Sequence, residues 1–86
     1  MARYNLVFRK SVARDLKTLP KKDVTNLLRV VQSLAGEPRP LGSRKLCGDE
    51  KYRLRWGVYR ILYEIHDKIL VICVVKIGHR KDVYRK

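Results

Sequence analysis

Cysteine and long apolar runs are both scarce in this sequence. Its two cysteines, Cys47 and Cys73, lie in contexts unlike a metal-binding motif or a disulfide framework, so we expect two reduced thiols. The longest apolar run, residues 69–75, is far shorter than the ~20 residues needed to span a bilayer. The N-terminal segment MARYNLVFRK lacks the layout of a signal peptide. These observations predict a soluble cytoplasmic protein with no membrane association.

Acidic residues are scarce as well. The sequence has 8 Asp and Glu against 21 Lys and Arg, and its formal net charge is +13. Repulsion among so many like charges disfavours the compact state unless a partner of opposite sign offsets it. An acidic protein or a polyanion would do so. The charge balance therefore favours nucleic acid as a partner.

The length of 86 residues predicts one domain, spanning residues 1–86. Alternating apolar residues predict a strand over residues 2–8, and Ser11 is placed to cap a short helix from Val12 to about Thr18. Pro20 suits the first turn of a second helix, whose apolar residues keep a helical period until Gly36. The segment GEPRPLGSRK that follows is predicted to be an extended connection.

From Lys45 onward the apolar period changes to two, which is typical of strands. Two hairpin turns are predicted, at Gly57-Val58 with glycine leading a type II′ turn and at Asp67-Lys68. The sequence therefore predicts an α+β fold in the order β-α-α-β-β-β. We expect an antiparallel sheet with two helices packed on one face, and a short C-terminal tail.

Counting outward from these turns separates the two faces of the predicted sheet. One face is apolar and is expected to receive the helices. Its members are Tyr52, Leu54, Trp56, Tyr59, Ile61, Tyr63, Ile65, Leu70, Ile72 and Val74. Across the second turn, the predicted pairs are Ile65 with Leu70, Tyr63 with Ile72 and Ile61 with Val74. The other face carries Arg55 opposite Arg60, and Arg53 opposite Leu62. Like charges in direct opposition destabilise a sheet, so this arrangement indicates a binding site for a polyanion, in particular RNA. An ordinary solvated sheet face is the alternative interpretation.

Two motifs in the C-terminal half carry a resemblance to a known family. The segment YRLRWGVYRILYEI, together with IGHRKDVY further on, resembles the C-terminal half of the RelE toxins of bacterial and archaeal toxin–antitoxin systems. The strand and two helices that end in LAGEPRPLGSRKL are similar to the first half of the same family. The resemblance covers nearly the whole chain and implies a RelE-like fold.

The resemblance implies cleavage of messenger RNA in the ribosomal A site, without a metal ion or other cofactor, and hence inhibition of translation. The site residues that it implies are Arg53, Arg55, Arg60, Arg80 and Tyr84. Attack of a ribose 2′-OH on phosphate accumulates negative charge on the phosphoryl oxygens, and guanidinium groups bind such oxygens bidentately. A tyrosine can stack on an unstacked base or orient a proton.

One departure from the family concerns the general base. The best-known member has lysines at the two strand positions that are Arg53 and Arg55 here, and arginine is a poor base. His79 is the nearby residue whose ordinary pKa lies near neutrality. We therefore predict that the arginines stabilise charge while His79 or Tyr84 handles protons. A purely structural role for His79 is the alternative.

The resemblance also implies partners and rival functions. Family toxins are neutralised by an antitoxin, usually acidic, and operator DNA is expected to be contacted only through the antitoxin complex. The ribosome and mRNA are the expected targets. Two alternatives are a ParE-type toxin that acts on DNA gyrase and a non-catalytic RNA-binding protein. ParE-type toxins generally lack the full basic set and the terminal tyrosine that this sequence has.

Overall fold

The structure is a computed structural model that describes residues 3–46 and 51–79. Its elements are β1 (Asn5–Phe8), α1 (Lys10–Lys17), α2 (Lys21–Leu34), β2 (Ser43–Lys45), β3 (Lys51–Trp56), β4 (Tyr59–His66) and β5 (Val71–His79). The predicted α+β class with two helices is confirmed. One strand was not predicted: β2 lies within the supposed extended connection. Neither helix in the described residues is long and apolar enough to cross a membrane.

The strands of the described residues form one mixed sheet in the order β1-β5-β4-β3-β2. Strands β2 to β5 pair antiparallel, whereas β1 pairs parallel with β5, from Asn5↔Val71 to Phe8↔Val74. The prediction of a wholly antiparallel sheet was therefore wrong at this edge. Side chains alternate between faces in either pairing direction, so the apolar alternation could not reveal the direction of β1.

The helices begin close to where the sequence places them. α2 starts directly after Pro20, which precedes it with a φ of −60° and has no amide hydrogen to leave unbonded. α1 starts at Lys10, and the predicted Ser11 cap was wrong, because Arg9 is the residue that precedes the helix and no side chain caps it. The Ser11 hydroxyl instead donates to the carbonyl oxygen of Val75, at 3.5 Å.

The two hairpins differ in how well the sequence predicts them. Gly57 has a φ of +60°, the left-handed value that glycine tolerates, and the Gly57-Val58 turn is confirmed. The second turn is longer than predicted, because β4 ends at His66 and β5 begins at Val71. Asp67 in this loop accepts hydrogen bonds from Tyr4 at 2.6 Å and from Arg39 at 2.8 Å. These long-range contacts hold Asp67 outside a two-residue turn, and Leu70 closes the loop with a φ of 54°.

The core lies between the helices and one face of the sheet. Val12 of α1 and Leu27 and Val31 of α2 are fully buried there. The sheet contributes Tyr52, Leu54, Tyr59, Ile61, Tyr63, Ile65, Ile72, Val74 and Ile77. The predicted apolar face is confirmed except for Leu70, which is exposed in the β4–β5 loop. The predicted β4–β5 register was wrong, because Ile65 pairs with Ile72, Tyr63 with Val74 and Ile61 with Ile77. In the described residues, the helices pack on this face.

Candidate functional site

Four arginines lie on the sheet face that points away from the helices, and we call this set the arginine face: Arg44, Arg53, Arg55 and Arg60. Arg55 is directly opposite Arg60 in the β3–β4 ladder, and Arg53 is opposite Leu62, as predicted. Directly paired residues share a face, with Cβ atoms about 5 Å apart. Arg60 is 5% exposed, whereas Arg55 is exposed. The structure therefore brings the three arginines predicted on strands to one surface.

Arg44 was missed by the sequence reasoning. It lies at the centre of β2 and pairs with Arg53, so its side chain continues the same row across the sheet. The sequence shows no clear strand pattern at Arg44, because β2 is only three residues long and follows a segment with two prolines. Its position beside Arg53 depends on a long-range strand pairing. Local periodicity does not reveal that pairing.

A bulge in β5 decides which side chains face the arginines. Tyr63 pairs with Val74, but Leu62 pairs with Lys76, so Val75 is an extra residue in β5. A one-residue shift moves every later side chain to the other face. Beyond the bulge, Lys76 and Gly78 lie on the arginine face, and Gly78 is directly opposite Arg60.

The same bulge turns His79 away from the arginines. His79 pairs with Tyr59 on the helix side of the sheet, and the two rings meet edge to face with centroids 6.3 Å apart. The described geometry therefore does not bring His79 together with Arg55 and Arg60. Its predicted proton-transfer role finds no support in this placement. The contact with Tyr59 agrees with the structural alternative for His79.

Two predicted site residues, Arg80 and Tyr84, lie outside the described residues. Their roles stay predictions that depend on the family resemblance. Cys47, one of the two cysteines, also lies outside them, whereas Cys73 is a half-buried free thiol on the arginine-face side of β5.

Glu64 supplies a carboxylate on the arginine side of the sheet. Its two oxygens meet Arg9 Nη2 at 3.4 Å and His66 Nε2 at 3.0 Å. Glu64 lies four residues from Arg60 along β4, about 13 Å at the rise of an extended strand. Glu64 therefore lies well along β4 from the pair formed by Arg55 and Arg60.

A second surface lies on the helix side at the β1 edge. Here an apolar groove of about 210 Å³ is lined by Phe8, Val12, Ala13, Leu16 and Leu28. Phe8 is 41% exposed at this groove. The exposed basic residues of the adjoining α1 are Lys10, Arg14 and Lys17. The groove is thus apolar at its base and positively charged along one helix.

Comparison with known proteins connects these surfaces to a family. The family model described as the ParE toxin of the type II toxin–antitoxin system parDE matches residues 6–84. The protein called Toxin RelG, from Mycobacterium tuberculosis, is 31% identical over 87 aligned residues, which cover 96% of this chain and 98% of its own length.

Two solved structures have the same fold. The archaeal RelE–RelB complex from Pyrococcus horikoshii contains a chain that is 32% identical, with a TM-score of 0.82 over 98% of this chain and 99% of that one. The toxin–antitoxin complex RelBE2 from Mycobacterium tuberculosis contains one that is 26% identical, with a TM-score of 0.83 over 93% of this chain and 94% of that one.

Proposed function

Because this chain belongs to the RelE family of toxins from type II toxin–antitoxin systems, we propose that it inhibits translation by cleaving mRNA in the ribosomal A site. It is, on this proposal, an endoribonuclease that uses no metal ion. The placement of Arg53, Arg55 and Arg60 on one face of the sheet supports this proposal. The proposal assigns them to the phosphate that is cut.

The reaction is an in-line displacement at phosphorus. The 2′-OH loses its proton as the O2′–P bond forms, and the P–O5′ bond breaks as the leaving oxygen gains a proton. The products are a 2′,3′-cyclic phosphate and a 5′-OH. Negative charge grows on the phosphoryl oxygens, and guanidinium groups fixed in advance stabilise it without reorganisation. We assign proton transfer to Tyr84, since His79 is turned toward Tyr59.

One observation carries the proposal: Arg55 and Arg60 are directly opposed in the ladder. Such a pair weakens the sheet by itself, because the two charges repel. An anion bound between them reverses the sign of that interaction. Two guanidinium groups on one face can bind the oxygens of a single phosphate, and this capacity supports the proposal.

The antitoxin is the second partner in this proposal. An acidic, amphipathic segment would place its apolar side chains in the groove lined by Phe8, Val12 and Leu16, and its carboxylates beside the lysines and arginine of α1. The groove lies on the helix side, away from the arginine face. Operator DNA is bound through the antitoxin in this scheme, and the complex acts in the cytoplasm.

Cleavage on ribosomes tests the proposal. Purified protein is incubated with ribosomes that hold a defined mRNA, and the cut sites are mapped by primer extension. Arg60→Ala is expected to lower the cleavage rate at least 100-fold, the range seen when a preorganised charge at a reacting centre is removed. Lys68→Ala, in the exposed β4–β5 loop, is the matched control and should keep the wild-type rate. Intact mRNA with the wild-type protein would overturn the proposal.

Action on DNA gyrase is the second candidate, because the matching family model is named for ParE. The same protein is incubated with gyrase and supercoiled plasmid, and trapped double-strand breaks are scored on a gel. The arginine face favours the nuclease, so we expect no breaks. Breaks together with intact mRNA would assign the chain to the gyrase poisons.

A further inference from the structure

Tyr59 connects three elements at the tip of the β3–β4 hairpin. Its phenol donates to Oδ2 of Asp23, in the first turn of α2, at 2.5 Å. Its ring stacks on Trp56 of β3, with centroids 6.3 Å apart and planes inclined by 12°. It also meets the His79 ring of β5 edge to face. Tyr59 is therefore the point at which a helix and both neighbouring strands hold this tip.

In the described residues, the tip of the hairpin has no neighbouring strand on the β2 side. A contact from another element is therefore needed to hold it. β2 pairs with β3 only as far as Ser43↔Leu54. Arg55 and Trp56 extend one and two residues beyond that pair, with no ladder partner on the β2 side in the described residues. The hydrogen bond between Asp23 and Tyr59 supplies an attachment from the layer of helices instead.

This attachment lies directly behind the arginine pair. Arg60 follows Tyr59 in β4, and neighbouring residues of a strand point to opposite faces. Trp56 and Tyr59 form the last pair before the turn, and Arg55 and Arg60 form the next. Movement of Tyr59 along or across the sheet therefore moves the backbone of both arginines.

We propose that Asp23, acting through the Tyr59 phenol, is a positioning residue that fixes Arg55 and Arg60 at the spacing a single phosphate requires. This inference rests on the proposed function. Neither Asp23 nor Tyr59 touches the substrate in this scheme, since both lie on the helix side of the sheet. Their effect is on orientation, and a displacement of about 1 Å in such a site can cost as much as 100-fold in rate.

Tyr59→Phe is the cleanest test, because it removes one oxygen atom and keeps the ring contacts with Trp56 and His79. Tyr63→Phe is the matched control. It removes a phenol from the same strand and face, with the loss of a 2.8 Å hydrogen bond to the Pro38 carbonyl oxygen, but at a distance from the tip. Both variants are compared with wild type by circular dichroism and thermal unfolding before any assay.

On ribosomes that hold mRNA, Tyr59→Phe and Asp23→Asn should each lower kcat on the order of 10-fold with KM unchanged. Combining them should cost no more than either alone, since both break one hydrogen bond. Tyr63→Phe should keep kcat at temperatures where it is folded. An unchanged kcat in Tyr59→Phe, a loss confined to KM, or additive losses in the double variant would each overturn the inference.

A second measurement does not depend on cleavage. Hydrogen exchange of the backbone amides in residues 55–60 should become faster in Tyr59→Phe and stay unchanged in Tyr63→Phe. The fluorescence emission maximum of Trp56, the one tryptophan of the sequence, should shift in Tyr59→Phe and stay unchanged in Tyr63→Phe. If wild type leaves mRNA intact while these two signals appear, the proposed function fails and the hairpin attachment stands without a catalytic role. Unchanged exchange in Tyr59→Phe would overturn the attachment itself.

Discussion

Asp15 of α1 accepts a hydrogen bond from the backbone N–H of Ile77 in β5, at 3.4 Å between Oδ2 and the nitrogen. Its other oxygen meets Lys76 Nζ at the same distance. β1 has already ended at this point, since its last pair is Phe8↔Val74. In the described residues, α1 therefore covers the edge of β5 beyond the end of β1, as a further strand would.

Replacement of Asp15 by alanine should open this edge. The Ile77 amide would lose its acceptor and Lys76 its counter-charge, and we expect the free energy of unfolding to fall by about 1–2 kcal/mol. Chemical denaturation measures the loss, and hydrogen exchange at Ile77 locates it. Glu37→Ala, in an exposed segment after α2, is the control with the same change of charge. Equal stability of the two variants would show that the edge needs no such protection.

Tyr63 makes the fold sensitive to alkali. Burial raises the pKa of its phenol from 10.0 to about 12, so the neutral form is favoured in the folded chain. A raised pKa adds stability that is complete below pH 10 and is lost as the pH rises through 12. We expect a loss on the order of 2 kcal/mol across this window.

Tyr63→Phe isolates that effect. The variant lacks the ionisable group, so the advantage of wild type in unfolding free energy should shrink as the pH rises above 10 and should reverse in sign by about pH 12. At neutral pH it should be less stable by about 1 kcal/mol, because the hydrogen bond to Pro38 is gone. Parallel pH curves for the two proteins would contradict a raised pKa at Tyr63.

Arg55→Gln should separate stability from activity. Removal of one charge from the opposed pair is expected to raise the free energy of unfolding by roughly 0.2–1 kcal/mol, while the cleavage rate falls. Added salt should reduce the gain, since it screens the repulsion in wild type. Arg29→Gln, on the exposed side of α2, is the control with the same change of charge. A less stable Arg55→Gln would show that Arg55 is a structural residue.

His79→Gln tests the residue that the bulge turns away from the arginines. We expect the pH profile of kcat to keep its shape, because His79 packs against Tyr59 and not beside Arg60. A modest fall in kcat without a change of profile would follow from loss of the ring contact. Loss of one limb of the profile would restore the predicted proton-transfer role.

Ala13→Lys tests the apolar groove as the antitoxin site. A lysine at this exposed position of α1 places a long charged side chain over the groove, and antitoxin affinity should fall at least 10-fold. Cleavage of mRNA should be unaffected, since the groove and the arginine face lie on opposite sides of the sheet. Gln32→Lys, exposed on α2, is the control for the added charge. Unchanged affinity in Ala13→Lys would place the antitoxin elsewhere.

The arginine pair could be predicted from the sequence because its cause is local. One glycine with positive φ fixes the Gly57-Val58 turn, and the turn fixes the register of Arg55 with Arg60. No distant part of the chain is needed for that inference. The β3 and β4 part of the apolar face could be predicted for the same reason, since its residues alternate along the two strands that this turn joins.

The features that could not be predicted depend on distant contacts. Hydrogen bonds from Arg39 and Tyr4 hold Asp67 in a loop that is longer than the predicted two-residue turn. The extra residue at Val75 then reverses the faces of the residues from Lys76 to His79. Arg44 lies on the arginine face only because the three-residue strand β2 pairs with β3. In each case the decisive partner lies far away in sequence.

The parallel pairing of β1 with β5 also has a consequence for the order in which this protein can be made. The first strand to be synthesised finds its neighbour in the last of the described strands, and contacts of such long separation form slowly. A nascent chain with only β1 and the two helices exposes an apolar layer and has no arginine pair. The layer of helices is thus complete before the chain contains the strands that cover it, and both arginines of the pair are added only with β3 and β4.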